Sequence, residues 1–153
     1  MDTESRQSTI IGNFRQIIAC EARSWVGTPY LHYTAKKGLG CDCGLFIMKV
    51  YENAGLITFE HPDFYPQDWA FHSPTGEMFE EIVKRYCVEI SEDKLDVGDI
   101  ILYKFGKTLS HASILLERDM IIHSELPIGV KISNRYTNQW VDRERKYYTW
   151  QVI

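Results

Sequence analysis

Apolar residues return at three- and four-residue intervals between Ile10 and Val26, through Phe14, Ile17, Ile18 and Trp25. That spacing predicts an amphipathic helix capped by Ser8 or Thr9 and ended at Gly27. Residues 1–7 are polar and expected to be a loose start. Residues 28–41, punctuated by Pro29, Gly38 and Gly40, read as a loop. A second helix is expected from about Cys43 to Ala54, with Asp42 as its N-cap and Gly55 past its end. Only Lys49, Glu52 and Asn53 make a polar stripe on it, so this helix should be mostly buried.

Residues 57–73 read as an aromatic loop with Phe59, His61, Phe64, Tyr65, Trp69, Phe71 and His72. Ser73-Pro74 should open a third helix with Met78, Phe79, Ile82, Val83 and Tyr86 on one face. The pattern then becomes strand-like over 87–91, 99–105, 110–117, 120–125, 128–133 and 146–152. Helices followed by strands predict an α+β domain, with N-terminal helices packed on an antiparallel sheet of five or six strands. Residues 1–153 are expected to form one domain. A chain of this length buries roughly 68–70% of its unfolded surface, enough for a core without disulfides or metal.

The formal charge of −4 gives no reason to expect nucleic-acid binding by bulk electrostatics. No stretch approaches the ~20 apolar residues of a membrane span, so no membrane insertion is expected. The first residues lead into no isolated apolar segment, which argues against a signal peptide. The four cysteines, Cys20, Cys41, Cys43 and Cys87, form no disulfide framework and fit synthesis in a reducing compartment.

The candidate chemistry begins at Gly40-Cys41-Asp42-Cys43-Gly44, where loop turns into helix. A thiol at that point meets the positive end of the helix dipole, which lowers its pKa and favours the nucleophilic thiolate. Such a nucleophile needs a base, and the base an orienting group. His111 and His123 lie on consecutive predicted strands and oppose each other if a three- or five-residue hairpin loop is centred on Glu117. A two-residue turn at Arg118-Asp119 would instead set His123 opposite Ile114 and send His111 to the other sheet face. The plain alternatives are an inert buried thiol and two ordinary strand histidines.

Cys41 lies off the expected helix and gains less from its dipole. A Cys-x-Cys pair without a second ligand pair is a poor zinc site, so no metal or other cofactor is expected. Tyr30 lies in the loop leading to Cys43, where a phenol would donate to an oxyanion beside the Cys43 N–H; packing on the core is the plainer role. His32 could line the same cleft, with a plain surface position the first expectation; Asp42 reads as a helix cap, and Asp99 as a structural residue ending a turn before a strand.

Taken in order, Trp25-Val26-Gly27-Thr28-Pro29-Tyr30, Gly40-Cys41-Asp42-Cys43, Val97-Gly98-Asp99-Ile100-Ile101-Leu102-Tyr103 and Ser110-His111-Ala112-Ser113-Ile114 with Ile121-Ile122-His123 resemble the NlpC-type cysteine peptidases of bacterial cell walls. The Gly-Cys-Asp-Cys run and Tyr65-Pro66-Gln67-Asp68-Trp69 are similar to the branch found in phage tails and gene transfer agents. The resemblance implies a papain-like fold and hydrolysis of peptidoglycan stem peptides at a D-γ-glutamyl–diaminopimelate bond. It makes Cys43 the nucleophile, His111 the base and His123 the orienting residue. Tyr30, Gly44 and Ser110 become the oxyanion- and substrate-facing residues. Gly44 and Leu45 depart from the family's usual serine and small residue. The glycine costs ~1 kcal/mol of helix propensity, and the leucine is expected to crowd the cleft.

A peptidoglycan stem peptide is therefore the expected partner, with phage-tail or other delivery-machine proteins carrying the chain from the cytoplasm to the wall. The rival readings are a non-cutting tail-assembly or scaffold protein of the same fold, and a thiol acyltransferase or amidase.

Overall fold

The computed structural model describes residues 2–65 and 78–151, leaving aside the side chains of residues 5–11 and of Asn138. Helix α1 spans Thr3–Arg23. It starts ahead of Ser8 and Thr9, so those residues are not its cap and the polar start is helical rather than loose. No Gly or Pro lies between Thr3 and Thr9, and Glu4 in the first turn complements the helix dipole. Two short strands, β1 (Ala35–Lys36) and β2 (Gly40–Cys41), pair inside the stretch expected to be all loop.

Helix α2 spans Cys43–Asn53. Asp42 caps it as expected: its backbone is extended, and its carboxylate accepts from the Leu45 N–H at 2.8 Å. Gly44 to Met48, Val50 and Tyr51 are buried along it. Burying each of the larger side chains contributes about 1.5–3 kcal/mol, which fixes the first turn of α2 to the sheet. Helix α3 spans Met78–Tyr86; the Ser73-Pro74 start expected for it lies outside the described residues, as do Trp69, Phe71 and His72.

The main sheet is antiparallel in the order β3-β8-β4-β5-β6-β7. Its strands are β3 (Cys87–Ile90), β4 (Ile100–Phe105), β5 (Thr108–Glu117), β6 (Met120–Glu125), β7 (Gly129–Asn134) and β8 (Arg145–Trp150). These bounds fall within two residues of the spans read from the sequence. Ile100, Leu102, Ile114, Leu116 and Ile122 pack under α1 and α2. Ile101, Leu115 and Ile121 face the opposite side, where Trp140 of the short helix α4 (Asn138–Val141) covers them.

The β5–β6 hairpin differs from the expected one. Its turn is the two-residue Arg118-Asp119, with Glu117 opposite Met120. A bulge then absorbs Leu116, and the ladder resumes with Leu115 opposite Ile121 and Ile114 opposite Ile122. Continued one step, that register sets His123 opposite Ser113, on the face His111 shares. The bulge thus restores the phase that the short turn alone would have destroyed.

Candidate active site

The β5–β6 ladder stops at Ile114 and Ile122, and β6 runs on against β7. The chain entering α2 fills the gap. Ser124 Oγ donates to the Cys41 carbonyl at 2.9 Å, and the Cys43 thiol donates to the Ser110 carbonyl at 3.5 Å. The Ala112 N–H also points at the sulfur. Cys43 therefore touches the backbone on both sides of His111. Ser110 is itself a bulge, because Tyr103 pairs with His111 while Lys104 pairs with Leu109. Bulges beside active sites re-aim neighbouring groups, and this one brings Ser110 into the cleft with Cys43.

His111 and His123 meet at 2.8 Å, Nε2 to Nδ1, with rings nearly perpendicular. His123 Nε2 lies 2.8 Å from Ser133 Oγ. If the serine hydroxyl accepts from His123 Nε2–H, then His123 Nδ1 accepts from His111 Nε2–H. His111 Nδ1 is left with a lone pair for a proton. Trp140 stacks on His111 at 5.2 Å and meets His123 edge-on at 4.9 Å, so the pair is held on a flat aromatic floor.

Both histidines are shifted toward the neutral form. Burial holds His111 well below its ordinary value of 6.5, helped by repulsion from His123 and Arg143. Burial likewise lowers His123 to about 4. The Cys43 thiol moves opposite to the sequence expectation. Burial and then the Asp42 carboxylate push it up to about 12, against the Ala112, Cys43 and Gly44 N–H groups that favour the thiolate. Thiol and imidazole are thus both shifted toward their neutral forms, which opposes a preformed ion pair between them. The N-terminal dipole of α2 is outweighed by desolvation.

Tyr30 joins Cys43 in the cleft, and its backbone bridges to Cys41. Among the described residues its hydroxyl has no hydrogen-bond partner. Burial, with Cys43 and Asp42 nearby, raises its pKa, so it remains a donor. His32, expected at the surface, lines the same cleft, and its Nε2 lies 2.5 Å from the Tyr65 carbonyl. Asp42 does more than cap. Its second oxygen accepts from the Tyr33 N–H at 3.0 Å and from the Tyr65 hydroxyl. Tyr33 sits at φ +55°, and its hydroxyl bonds the Pro62 carbonyl. A left-handed non-glycine residue stores strain that neighbouring bonds must hold; here they fasten residues 61–65 beside the cleft.

Gly44 now has a packing reason. A Cβ there would lie 2.3 Å from Cε2 of Phe79, which α3 lays against the first turn of α2. Leu45 is buried and lines the cleft with Met48 and Phe79, as its size suggested. Ser133, Trp140 and Phe79 escaped the sequence reading as parts of the site. Phe79 was read only as a core residue of its helix. Ser133 and Trp140 carried no local signal beyond a hydroxyl at a strand end and a tryptophan between strands. Among the described residues no three His, Cys, Asp or Glu side chains cluster to hold a metal, and no helix is long and apolar enough to cross a membrane.

The sequence pattern of the NlpC/P60 family matches residues 27–149. No curated protein matches the chain. Among solved structures, the chain is similar to an NlpC/P60 family protein from Bacillus cereus, at 18% identity and a TM-score of 0.66, covering 89% of this chain and 40% of that one. It thus spans about two fifths of that protein's length. It also matches the NlpC/p60 domain of the peptidoglycan hydrolase SagA, at 23% identity and a TM-score of 0.55, over 86% of this chain and 96% of that domain. RipD of Mycobacterium tuberculosis, a non-catalytic NlpC/p60 domain protein, matches at 15% identity and a TM-score of 0.58, over 92% of this chain and 98% of that one. At these identities the solved structures establish a shared papain-like fold. With most of its length matched by the family pattern, the chain belongs to the NlpC/P60 family.

Proposed function

We propose that this chain is a cysteine peptidase that hydrolyses an amide bond in peptidoglycan stem peptides, of the D-γ-glutamyl–diaminopimelate type. Members of the family are generally peptidoglycan hydrolases, though some are non-catalytic. The observation that carries the reading is the meeting of Cys43, at the capped start of α2, with the strand bearing the hydrogen-bonded series His111–His123–Ser133.

His111 Nδ1 takes the thiol proton as sulfur attacks the amide carbonyl. The Cys43 N–H and the Tyr30 hydroxyl receive the developing oxyanion. His111, now imidazolium, keeps its Nε2–H on His123 and gives its new proton to the leaving amine. Water, deprotonated by the same ring, then cleaves the thioester. Residues 1–153 act as one catalytic domain in this reading. The Gly-Cys-Asp-Cys run supports a phage-tail or prophage origin, with a particle delivering the protein to the wall.

Purified muropeptides digested with wild type and with Cys43→Ala, then mass-analysed, test the proposal. Products released by wild type alone support it; equal cleavage by both, or by neither, overturns it. A second reading, wall binding without cleavage, is favoured by the raised thiol pKa and the narrow cleft. It predicts that both proteins bind muropeptides and that neither cuts.

A further inference from the structure

The proposed chemistry gives the two sides of the cleft different occupants. His111 must protonate the leaving amine, so the amine side lies toward His111. The acyl side then lies toward Tyr30, Asp42 and the first turn of α2. Among the described residues lining that side there is no lysine or arginine. The wall supplied by Phe59, Met78, Phe79 and Ile82 is apolar. Among the described lining residues the carboxylate is Asp42, which is 3% exposed and accepts from the Tyr33 and Leu45 N–H groups and the Tyr65 hydroxyl, bonds that favour its charged form against burial. Among the described residues His32 is the one lining imidazole, and its Nε2 is committed to the Tyr65 carbonyl.

A γ-linked glutamyl residue brings a free α-carboxylate to this region. There it would be desolvated beside an existing carboxylate with no cation to pair with, which is strongly unfavourable. The α-amide has the same shape, no charge, and two N–H donors for Asp42 or backbone carbonyls. We infer that the acyl side of this cleft takes γ-glutamyl residues whose α-carboxyl is amidated, in preference to the free acid. The inference rests on the peptidase reading above for the orientation of the substrate.

The test compares two synthetic stem tripeptides that differ only in this group, L-Ala-γ-D-isoglutaminyl-diaminopimelate and its free-acid counterpart. The expected result is a kcat/KM at least about tenfold higher for the amide, a factor modest for an unpaired charge. Equal rates, or a preference for the acid, overturn the inference. Binding of both peptides to Cys43→Ala by titration calorimetry reads the same preference without catalysis. A tighter amide supports the inference even if wild type cleaves neither peptide, a result that would end the peptidase reading alone. Equal binding, a tighter acid, or no binding of either peptide overturns it. As a reciprocal check, Met78→Arg, which sets a guanidinium at the half-buried rim, should shift the preference toward the free acid.

Discussion

Gly44 and Phe79 make the most local test of how this cleft is built. Gly44 lies in the first turn of α2, so its backbone accepts any L residue, and Gly→Ala in a helix ordinarily gains about 1 kcal/mol. Here the new methyl would sit 2.3 Å from Phe79 Cε2 and 2.9 Å from Cδ2, well inside contact. Phe79 is 7% exposed, so its ring must tilt within packed surroundings. Overpacking of this kind costs about 1–3 kcal/mol. With about 2 taken against the 1 gained, Gly44→Ala should leave the protein about 1 kcal/mol less stable. In a Phe79→Leu background the ring edge is gone, and the same substitution should stabilise by about 1 kcal/mol. The coupling energy is then about 2 kcal/mol, measurable by urea unfolding of the four proteins in a double-mutant cycle. Stabilisation by Gly44→Ala of equal size in both backgrounds would show that Phe79 does not occupy this position. Because Phe79 also walls the cleft, kcat/KM should fall with Gly44→Ala and recover partly in the double variant.

The neutral resting site predicts a thiol that alkylates slowly near pH 7 and faster as pH rises toward 12; peptide mapping of iodoacetamide adducts, with exposed Cys20 as internal control, reads this directly. Rapid modification of Cys43 below pH 7 would mean that an ion pair exists after all. The base is active when neutral, and its pKa is lowered, so the acid limb of kcat/KM should lie below pH 6.5; a limb at or above that value contradicts the burial argument. His123 binds its proton at about 4 in the folded state and 6.5 when free. The unfolded chain therefore holds more protons between those values, so stability falls as pH drops through that window. The loss approaches about 3 kcal/mol at the lower end. Urea unfolding of wild type and His123→Asn at pH 7.5 and 4.5 isolates it, and an equal pH effect on both proteins refutes it. Ser133→Ala leaves His123 Nε2 without its partner, at a cost of about 1–3 kcal/mol. It should lower kcat more than it raises KM, checked by steady-state kinetics, since the ring it releases orients His111 rather than touching substrate.

Element boundaries were largely legible because apolar spacing changes from helical to strand-like near Cys87, and Asp42 followed by a buried run announces a capped helix. The hairpin register was not legible. Ile114, Leu115 and Leu116 are all apolar because both faces of β5 are buried, so no alternation marks which residue the bulge absorbs. The start of α1 was missed because hydrophobic spacing begins at Ile10, whereas the helix needs only the absence of breakers before it. The thiol and both imidazoles were nameable from residue type and order, whereas Tyr30 was singled out by the family resemblance. Trp140 was not, since it acts from a short helix with no periodicity of its own. The direction of the thiol shift depends on how many atoms surround the sulfur, and no local run of sequence records that.

The bulge at Leu116 constrains how this hairpin can change length. With the bulge kept, gaining or losing one residue between His111 and His123 carries one ring through the sheet to the helix layer; losing Leu116 itself closes the bulge, leaves Leu115 opposite Ile121, and keeps both rings on the Trp140 side. Loop variants that retain the paired imidazoles should therefore differ from one another by even counts when the bulge is shared and by odd counts when only one of them has it, a ratchet imposed by the pleat rather than by any contact the rings make.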